Sequence, residues 1–350
     1  MSEEWEVSFF KEKLALKIRQ YLLIYLFFSL CGGLIFLSNL GHFKRFGTTS
    51  APVIPTNKPD QLEESFFKGV NYFSIQNNKP FLELETDELS ISNTEGLLLC
   101  FNPVGSLYRY DRENKPMEPI IFQSKNSRVL LKKKSLYLDK NVEIKMANTT
   151  LTAENVSITD NGEQIDANEN VKTISLIQKT NDQILINSHR ASYFPKKQLY
   201  TYRTNVTGEV VRKRVYEEGV SFATDQLVFN VPESLITLDG KVTFKKDNLD
   251  AFANRGEVFL ENYNKKLKYY ALYDDVRLQE TLSQNGKPLV RKAFAEKLEG
   301  ITSEKRIILT GFPKVFQLKD VIKGNRITIR ENVEIVEVDD ANSSITIQKE

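Results

Sequence analysis

The chain has 350 residues, 41% of them hydrophobic, with 48 basic and 46 acidic side chains and a net charge of +2. That is more than one hydrophobic core usually holds, and the charges are mixed throughout, with no basic block to track a phosphate backbone, which argues against a nucleic-acid partner. Two cysteines, Cys31 in an apolar N-terminal stretch and Cys100 far beyond it, exclude a disulfide framework.

Residues 1–20 form a short tail. Tyr21 to Leu40 then runs for twenty residues without a charge, long enough at about 1.5 Å per residue to cross a bilayer core of about 30 Å as a helix. Its twelve Leu, Ile and Phe residues favour insertion by on the order of 4 to 7 kcal/mol. Lys11, Lys13, Lys17 and Arg19 precede the run and only Lys44 and Arg45 closely follow it, so the positive-inside rule predicts a cytoplasmic N-terminus with the bulk of the chain outside. The run is longer than a signal-peptide h-region and no Ala-x-Ala site follows, so an uncleaved anchor is expected. Ser29 and Gly33 form a small-xxx-small pair that would let another helix pack closely.

Residues 41–65 read as a linker, with three prolines between Gly47 and Leu62. Beyond it the pattern becomes period two, as in Phe81-Leu82-Glu83-Leu84-Glu85, Asn141-Val142-Glu143-Ile144-Lys145 and Arg326-Ile327-Thr328-Ile329-Arg330. Hairpin signals stand at Asn161-Gly162, Asp239-Gly240 and Asn285-Gly286. These features predict antiparallel β structure. Arg291 to Leu298 has helix propensity but no good cap, and is expected to be a strand.

A repeat emerges, with apolar residues at i, i+2, i+6 and i+8 around a polar middle. Its copies are Leu136-Leu138-Val142-Ile144, Ile236-Leu238-Val242-Phe244, Tyr270-Leu272-Val276-Leu278 and Ile327-Ile329-Val333-Ile335, with degenerate ones at Tyr200-Tyr202-Val206, Tyr216-Val220-Phe222 and Ile307-Leu309-Val315. The central valines at 206, 242, 276 and 315 suit units of a few strands, each burying its apolar face on the next. A stack of hairpins is expected, rather than a closed barrel. Even offsets share a face, so the repeat residues form one aliphatic inner face. That face is either simply core or an apolar groove for a lipid.

Catalytic constellations are missing. His42 and His189 lack metal-ligand partners at usable spacing, and no nucleophile elbow, phosphate loop or His-Glu-x-x-His motif occurs. Asp274-Asp275 and Asp339-Asp340 are read as turn residues. No cofactor or metal is expected, and the protein is read as not an enzyme.

The segments Pro80 to Thr86, Asn102 to Tyr108 and Leu136 to Ile144 resemble, in that order, the LptC component of the lipopolysaccharide transport (Lpt) family. Ile307 to Val315 followed by Val321 to Ile329 resembles the OstA/LptA unit of the same family. The resemblance implies an all-β fold, the OstA-like antiparallel β-jellyroll, elongated and semi-open, carried by one N-terminal transmembrane helix. It implies an LptC-like module over residues 66–190 and an LptA/OstA-like module over 191–350. It further implies an inner-membrane-anchored, single-pass periplasmic bridge that receives lipopolysaccharide from the Lpt ABC transporter and passes it outward. Acyl chains would lie along Leu136, Leu138, Val142, Ile144, Ile236, Leu238, Val242, Phe244, Leu272, Val276, Leu278, Ile327, Ile329, Val333 and Ile335. The alternating Ile345 and Ile347 near the C-terminus predict an edge strand that pairs with another jellyroll, LptA or the N-terminal domain of LptD. The alternative is a single-pass envelope sensor with a β-rich ligand-binding domain, which a tail of only about twenty residues disfavours.

Overall fold

The structure is a computed structural model. It describes residues 65–92, 96–111, 113–177, 182–213, 219–261, 266–284, 287–318, 320–331, 333 and 335–339. All of these belong to one compact unit, Asp60–Glu350, and Met1–Pro59 lies outside the described residues. The expected anchor, Tyr21 to Leu40 with Ser29 and Gly33, and the expected edge strand with Ile345 and Ile347 therefore also lie outside them. Among the described residues no helix is long and apolar enough to cross a membrane.

The described residues form twenty-one strands in one antiparallel sheet. In chain order they are β1 (Ser65–Gln76), β2 (Lys79–Ser92), β3 (Leu97–Phe101), β4 (Val104–Leu107), β5 (Ile120–Gln123), β6 (Asn126–Leu130), β7 (Ser135–Met146), β8 (Thr149–Thr159), β9 (Gln164–Ile177), β10 (Asp182–Phe194) and β11 (Leu199–Val211). They continue as β12 (Val220–Asn230), β13 (Leu235–Lys246), β14 (Leu249–Glu261), β15 (Lys266–Gln284), β16 (Lys287–Ile301), β17 (Arg306–Thr310), β18 (Lys314–Gln317), β19 (Asp320–Lys323), β20 (Arg326–Arg330) and β21 (Val336–Asp339). From β7 to β16 each strand pairs with the next by a hairpin.

From β7 to β16 the strands bend at their middles. The pairing register breaks at Asp139/Val142 in β7, Arg203/Val206 in β11, Asp239/Val242 in β13 and Tyr273/Val276 in β15. Between these residues stand pairs with left-handed backbone: Lys140-Asn141, Thr204-Asn205, Gly240-Lys241 and Asp274-Asp275; β9 has the same at Glu169-Asn170. Two unpaired residues in αL turn the chain sharply, as bulges do, so each strand leaves one half-sheet and enters another. Where the chain breaks altogether the corner persists: β2 pairs with β3 on one side of Asn102-Pro103 and with β4 on the other. Likewise β16 pairs with β17 and β18 on either side of Gly311-Phe312-Pro313.

The sheet is thus folded along a line of corners into two leaves, an all-β antiparallel fold. The first leaf holds β3, β6, β17, β20, β21 and residues such as 135–139 of β7. The second holds β4, β5, β18, β19 and residues such as 142–146 of β7. Apolar side chains from both leaves fill the space between, where the Phe244 and Tyr270 rings meet at 4.8 Å.

This geometry explains the repeat. A polar residue at i+4 of a straight strand would point inward, but the left-handed corner turns it to solvent, and Lys140 and Asn141 are both exposed. Residues i and i+2 then lie on the first leaf and i+6 and i+8 on the second. Ile165-Ala167-Val171-Thr173 in β9 is a further copy, hidden in the sequence by its Ala and Thr. Two expectations change. Asp239-Gly240 and Asp274-Asp275 are mid-strand corners, not hairpin ends, because left-handed Gly and Asp serve a corner as well as a turn. The expected hairpin at Asn161-Gly162 does join β8 to β9, and Asn285-Gly286, outside the described residues, links paired strands, Gln284 opposite Lys287. Arg291 to Leu298 lies in β16, as alternation and neighbouring strands override its helix propensity.

Candidate functional site

The site is the open side of the folded sheet, opposite the corners, where the lips of the two leaves face each other. Reading partners across the first leaf gives Ile91, Leu98, Val129, Leu136, Ile158, Ile165, Tyr193, Tyr200, Phe229, Ile236, Val258, Tyr270, Gly300, Ile307, Ile329 and Val336, each opposite the next. Gly300 alone carries no apolar side chain, and it is filled from its neighbour: a Cβ there would lie 2.1 Å from the Tyr270 ring. An unbroken apolar stripe therefore runs the length of the lip. Direct cross-strand pairs of this kind are also what holds each strand to the next.

The stripe changes character along its course. Leu98 to Ile165 are buried, Tyr193 to Val258 are half-buried, and Tyr270, Ile307 and Ile329 are buried again. In the buried N-terminal part, the segment between β4 and β5 reaches across the opening. Arg109 lies against Gly162 in the β8–β9 turn and donates to the Glu118 carbonyl at 3.1 Å; burial holds its guanidinium below the usual arginine range. Where that cover ends, a cavity with room for about one water molecule opens between Met146, Thr149, Leu151 and Thr173 of the second leaf and Ile165, Tyr193, Tyr200 and Tyr202 of the first. Tyr193 stacks on Tyr200 at 4.1 Å, and Tyr200 on Phe229 at 6.1 Å. Burial pushes the Tyr202 hydroxyl up to about 12, so it remains protonated.

At the C-terminal end the second leaf turns charges inward. Lys246, Leu249, Glu280, Arg291 and Gln317 form one cross-strand row at its lip. Arg291, fully buried, donates to Glu280 at 3.1 Å, to the Gln317 amide oxygen at 3.0 Å and to the Val333 carbonyl at 2.7 Å. Lys246 donates to Glu331 at 2.5 Å. Glu331 and Val333 follow β20, so these contacts tie a strap from the first leaf across the opening to the second. The Tyr270 hydroxyl sits beneath it without a hydrogen-bond partner among the described residues, its pKa pushed up by burial and then by Glu331 and Glu280.

Of the expected groove residues, Leu136, Leu138, Leu238, Leu272, Ile327 and Ile329 are buried on the first leaf, with Ile236 half-buried in the stripe. Val142, Ile144, Val242, Phe244, Val276 and Leu278 are buried on the second leaf, facing them. Val333 and Ile335 are brought to neither leaf: they are 42% and 52% exposed. Their copy begins on β20, which runs from the corner to the lip of the first leaf, so the residues after Ile329 leave the lip instead of turning a corner. Periodicity along the chain missed the aromatic part of the stripe and the Lys246–Glu331 and Arg291–Glu280 pairs. The alternation in β16 places Arg291 on the same face as Ala293 and Ala295, which is the one signal that could have found it. His189 is exposed at the β10 corner, and among the described residues no cluster of His, Cys, Asp and Glu could hold a metal.

A two-leaved sheet whose opening carries a continuous apolar stripe offers apolar or amphipathic molecules a surface out of water. Residues 222–334, from within β12 to the strap, match the family model described as LptA/(LptD N-terminal domain) LPS transport protein. Among solved structures the chain is similar to LptH, the LptA homologous periplasmic component of the conserved lipopolysaccharide transport device from Pseudomonas aeruginosa. The identity is 15%, over 37% of this chain and 89% of that one, with a TM-score of 0.32. No curated protein sequence matches the chain significantly.

Proposed function

We propose that this protein is a non-enzymatic, inner-membrane-anchored bridge of the periplasm that accepts lipopolysaccharide from an ABC transporter and passes it toward the outer membrane. The observation that carries the reading is the unbroken apolar stripe from Ile91 to Val336. A lipid whose acyl chains lie between the lips can move from one strand to the next without leaving an apolar surface. Each methylene held out of water contributes about 0.8 kcal/mol, so sliding between equivalent sites is favoured over release.

In this reading an LptC-like module spans residues 66–190 and an LptA-like module 191–350, with β9, β10 and β11 continuing the sheet between them. The chain Tyr21 to Leu40 is the anchor, packing on a transporter helix through Ser29 and Gly33. The segment holding Ile345 and Ile347 pairs as an edge strand with another jellyroll, LptA or the N-terminal domain of LptD. The buried residues Leu136 to Ile329 named above form the floor on which the acyl chains lie once the leaves part.

The test is site-specific photo-crosslinking in living cells. A crosslinker at Tyr200 or Phe229, half-buried in the stripe, is expected to capture lipopolysaccharide, whereas one at Thr243 on the outer face is not. Equal capture from both faces would reduce the interior to a plain core. Resistance to carbonate extraction tests the anchor separately.

A further inference from the structure

The charges that close the C-terminal part of the opening are not where a hydrophobic core would place them. The row they occupy belongs to a leaf whose inward residues are mostly apolar or small, the buried Asp182 with its partner Arg212 being the other ion pair on that face, and burying an ion is unfavourable unless it is paired and hydrogen-bonded. Two cations, Lys246 and Arg291, stand on one lip. Arg291 keeps Glu280, its neighbour within the same leaf. Lys246 has a different kind of partner: Glu331 comes from the other leaf, on the strap, held there by its backbone N–H donating to the Lys305 carbonyl at 2.9 Å. One oxygen of the Glu331 carboxylate binds Lys246 and the other, Oε1, is buried with no hydrogen-bond partner among the described residues. The Tyr270 hydroxyl, also buried and lacking such a partner, lies in the same enclosure.

From this arrangement we infer that Lys246, with Arg291 and the Tyr270 hydroxyl beside it, is a binding site for the phosphate of an anionic amphiphile, and that the Glu331 carboxylate occupies it when no ligand is present. The inference rests on the carrier reading and deepens it by naming the group that the lip recognises. Acyl chains lying on the stripe bring a headgroup to the lip, because a charged or sugar-bearing head cannot follow them inward. The head of a ligand entering beside Tyr270 meets Lys246 there. A phosphate offers more acceptor oxygens than a carboxylate, so it can bind Lys246 and also accept from the Tyr270 hydroxyl, which Glu331 leaves without a partner. The exchange replaces one anion by another, so Lys246 keeps an anionic partner throughout.

The experiment is calorimetric titration of the full chain, held in zwitterionic lipid nanodiscs with empty discs as blank, using dodecyl phosphate, dodecyl maltoside and inorganic phosphate. Dodecyl phosphate is expected to bind at least about tenfold more tightly than the maltoside of equal chain length, the scale of one charge-assisted hydrogen bond, and inorganic phosphate not to bind measurably. Glu331→Gln removes the competing anion and is expected to raise the affinity for dodecyl phosphate several-fold. Lys246→Gln is expected to abolish the preference for it, and Lys246→Arg to restore it. Lys245→Gln, the same charge change on the exposed outer face, is expected to leave both affinities as they were. Thermal unfolding of each variant checks that the fold is intact. Binding of both amphiphiles with no preference, unchanged by Lys246→Gln and Glu331→Gln, would overturn this inference and leave the carrier reading standing. Binding of neither amphiphile would overturn both, and tight binding of inorganic phosphate alone would turn the site into one for the free anion.

Discussion

The two ends of the opening are closed by opposite physics. Toward the N-terminus the lip is aliphatic, Leu98, Val129, Leu136, Ile158 and Ile165 packed beneath the Arg109 segment, and its closure is burial of apolar surface. Toward the C-terminus the same stripe runs under Lys246, Glu280, Arg291 and Glu331, and closure is a set of directional contacts between partners on different strands. The backbone is alike in both, a sheet folded at left-handed corners. The difference shows that this fold does not dictate how its opening is sealed. Apolar packing has no discrete partner to exchange, whereas an ion pair across two leaves can be exchanged for another ion pair.

The largest expected effect tests whether the C-terminal closure is electrostatic. Arg291→Met leaves Glu280 buried without its cation and is expected to lose about 3 to 5 kcal/mol in urea unfolding, while Arg291→Met with Glu280→Leu recovers most of that, since an apolar pair of similar volume replaces a buried ion pair at little net change. A single substitution as mild as the double would break the contrast between the two ends. At the aliphatic end, Leu138→Ala is expected to lose about 2 to 5 kcal/mol through lost burial and the cavity left behind. Its cost should be the same in low and high salt, because no charge is involved.

Cys100 sharpens the comparison, as it lies in the apolar N-terminal half. Burial pushes its thiol up to about 11 from an ordinary 9.0. The folded value lies above the unfolded one, so its contribution is intact below pH 9 and is lost as the pH rises toward 11, by roughly 2 to 3 kcal/mol relative to Cys100→Ala. In a Cys31→Ser chain the thiol is expected to resist alkylation at pH 8 until urea unfolds the domain, because the thiolate is the reactive form. Rapid labelling of the folded chain would show that this end opens too. The smallest effect belongs to charges on the outside: Arg277 and Asp275 form a pair with both side chains about 60% exposed, and Arg277→Ala is expected to change stability by at most about 1 kcal/mol. A larger loss would mean that charge at the corners, and not only charge turned inward, holds the leaves together.

Alternation along the chain was enough to give the strands, their apolar faces and the period of the apolar repeat, because these are local signals that each strand carries alone. It determined that Leu136-Leu138 and Val142-Ile144 belong to one interior, since even offsets survive a two-residue corner. It did not distinguish a corner from a turn, because Asp239-Gly240 and Asp274-Asp275 carry the same left-handed preference as a hairpin tip, and only pairing on both sides tells them apart. It did not give the direction in which a strand crosses between leaves, which is why Val333 and Ile335 were grouped with the interior and stand outside it. The stripe through Tyr193, Tyr200 and Phe229, and the meeting of Lys246 with Glu331 across eighty-five positions, were decided only by the tertiary structure. Register between strands and the folding of one leaf onto another bring together residues that share no local pattern, and those juxtapositions define the site.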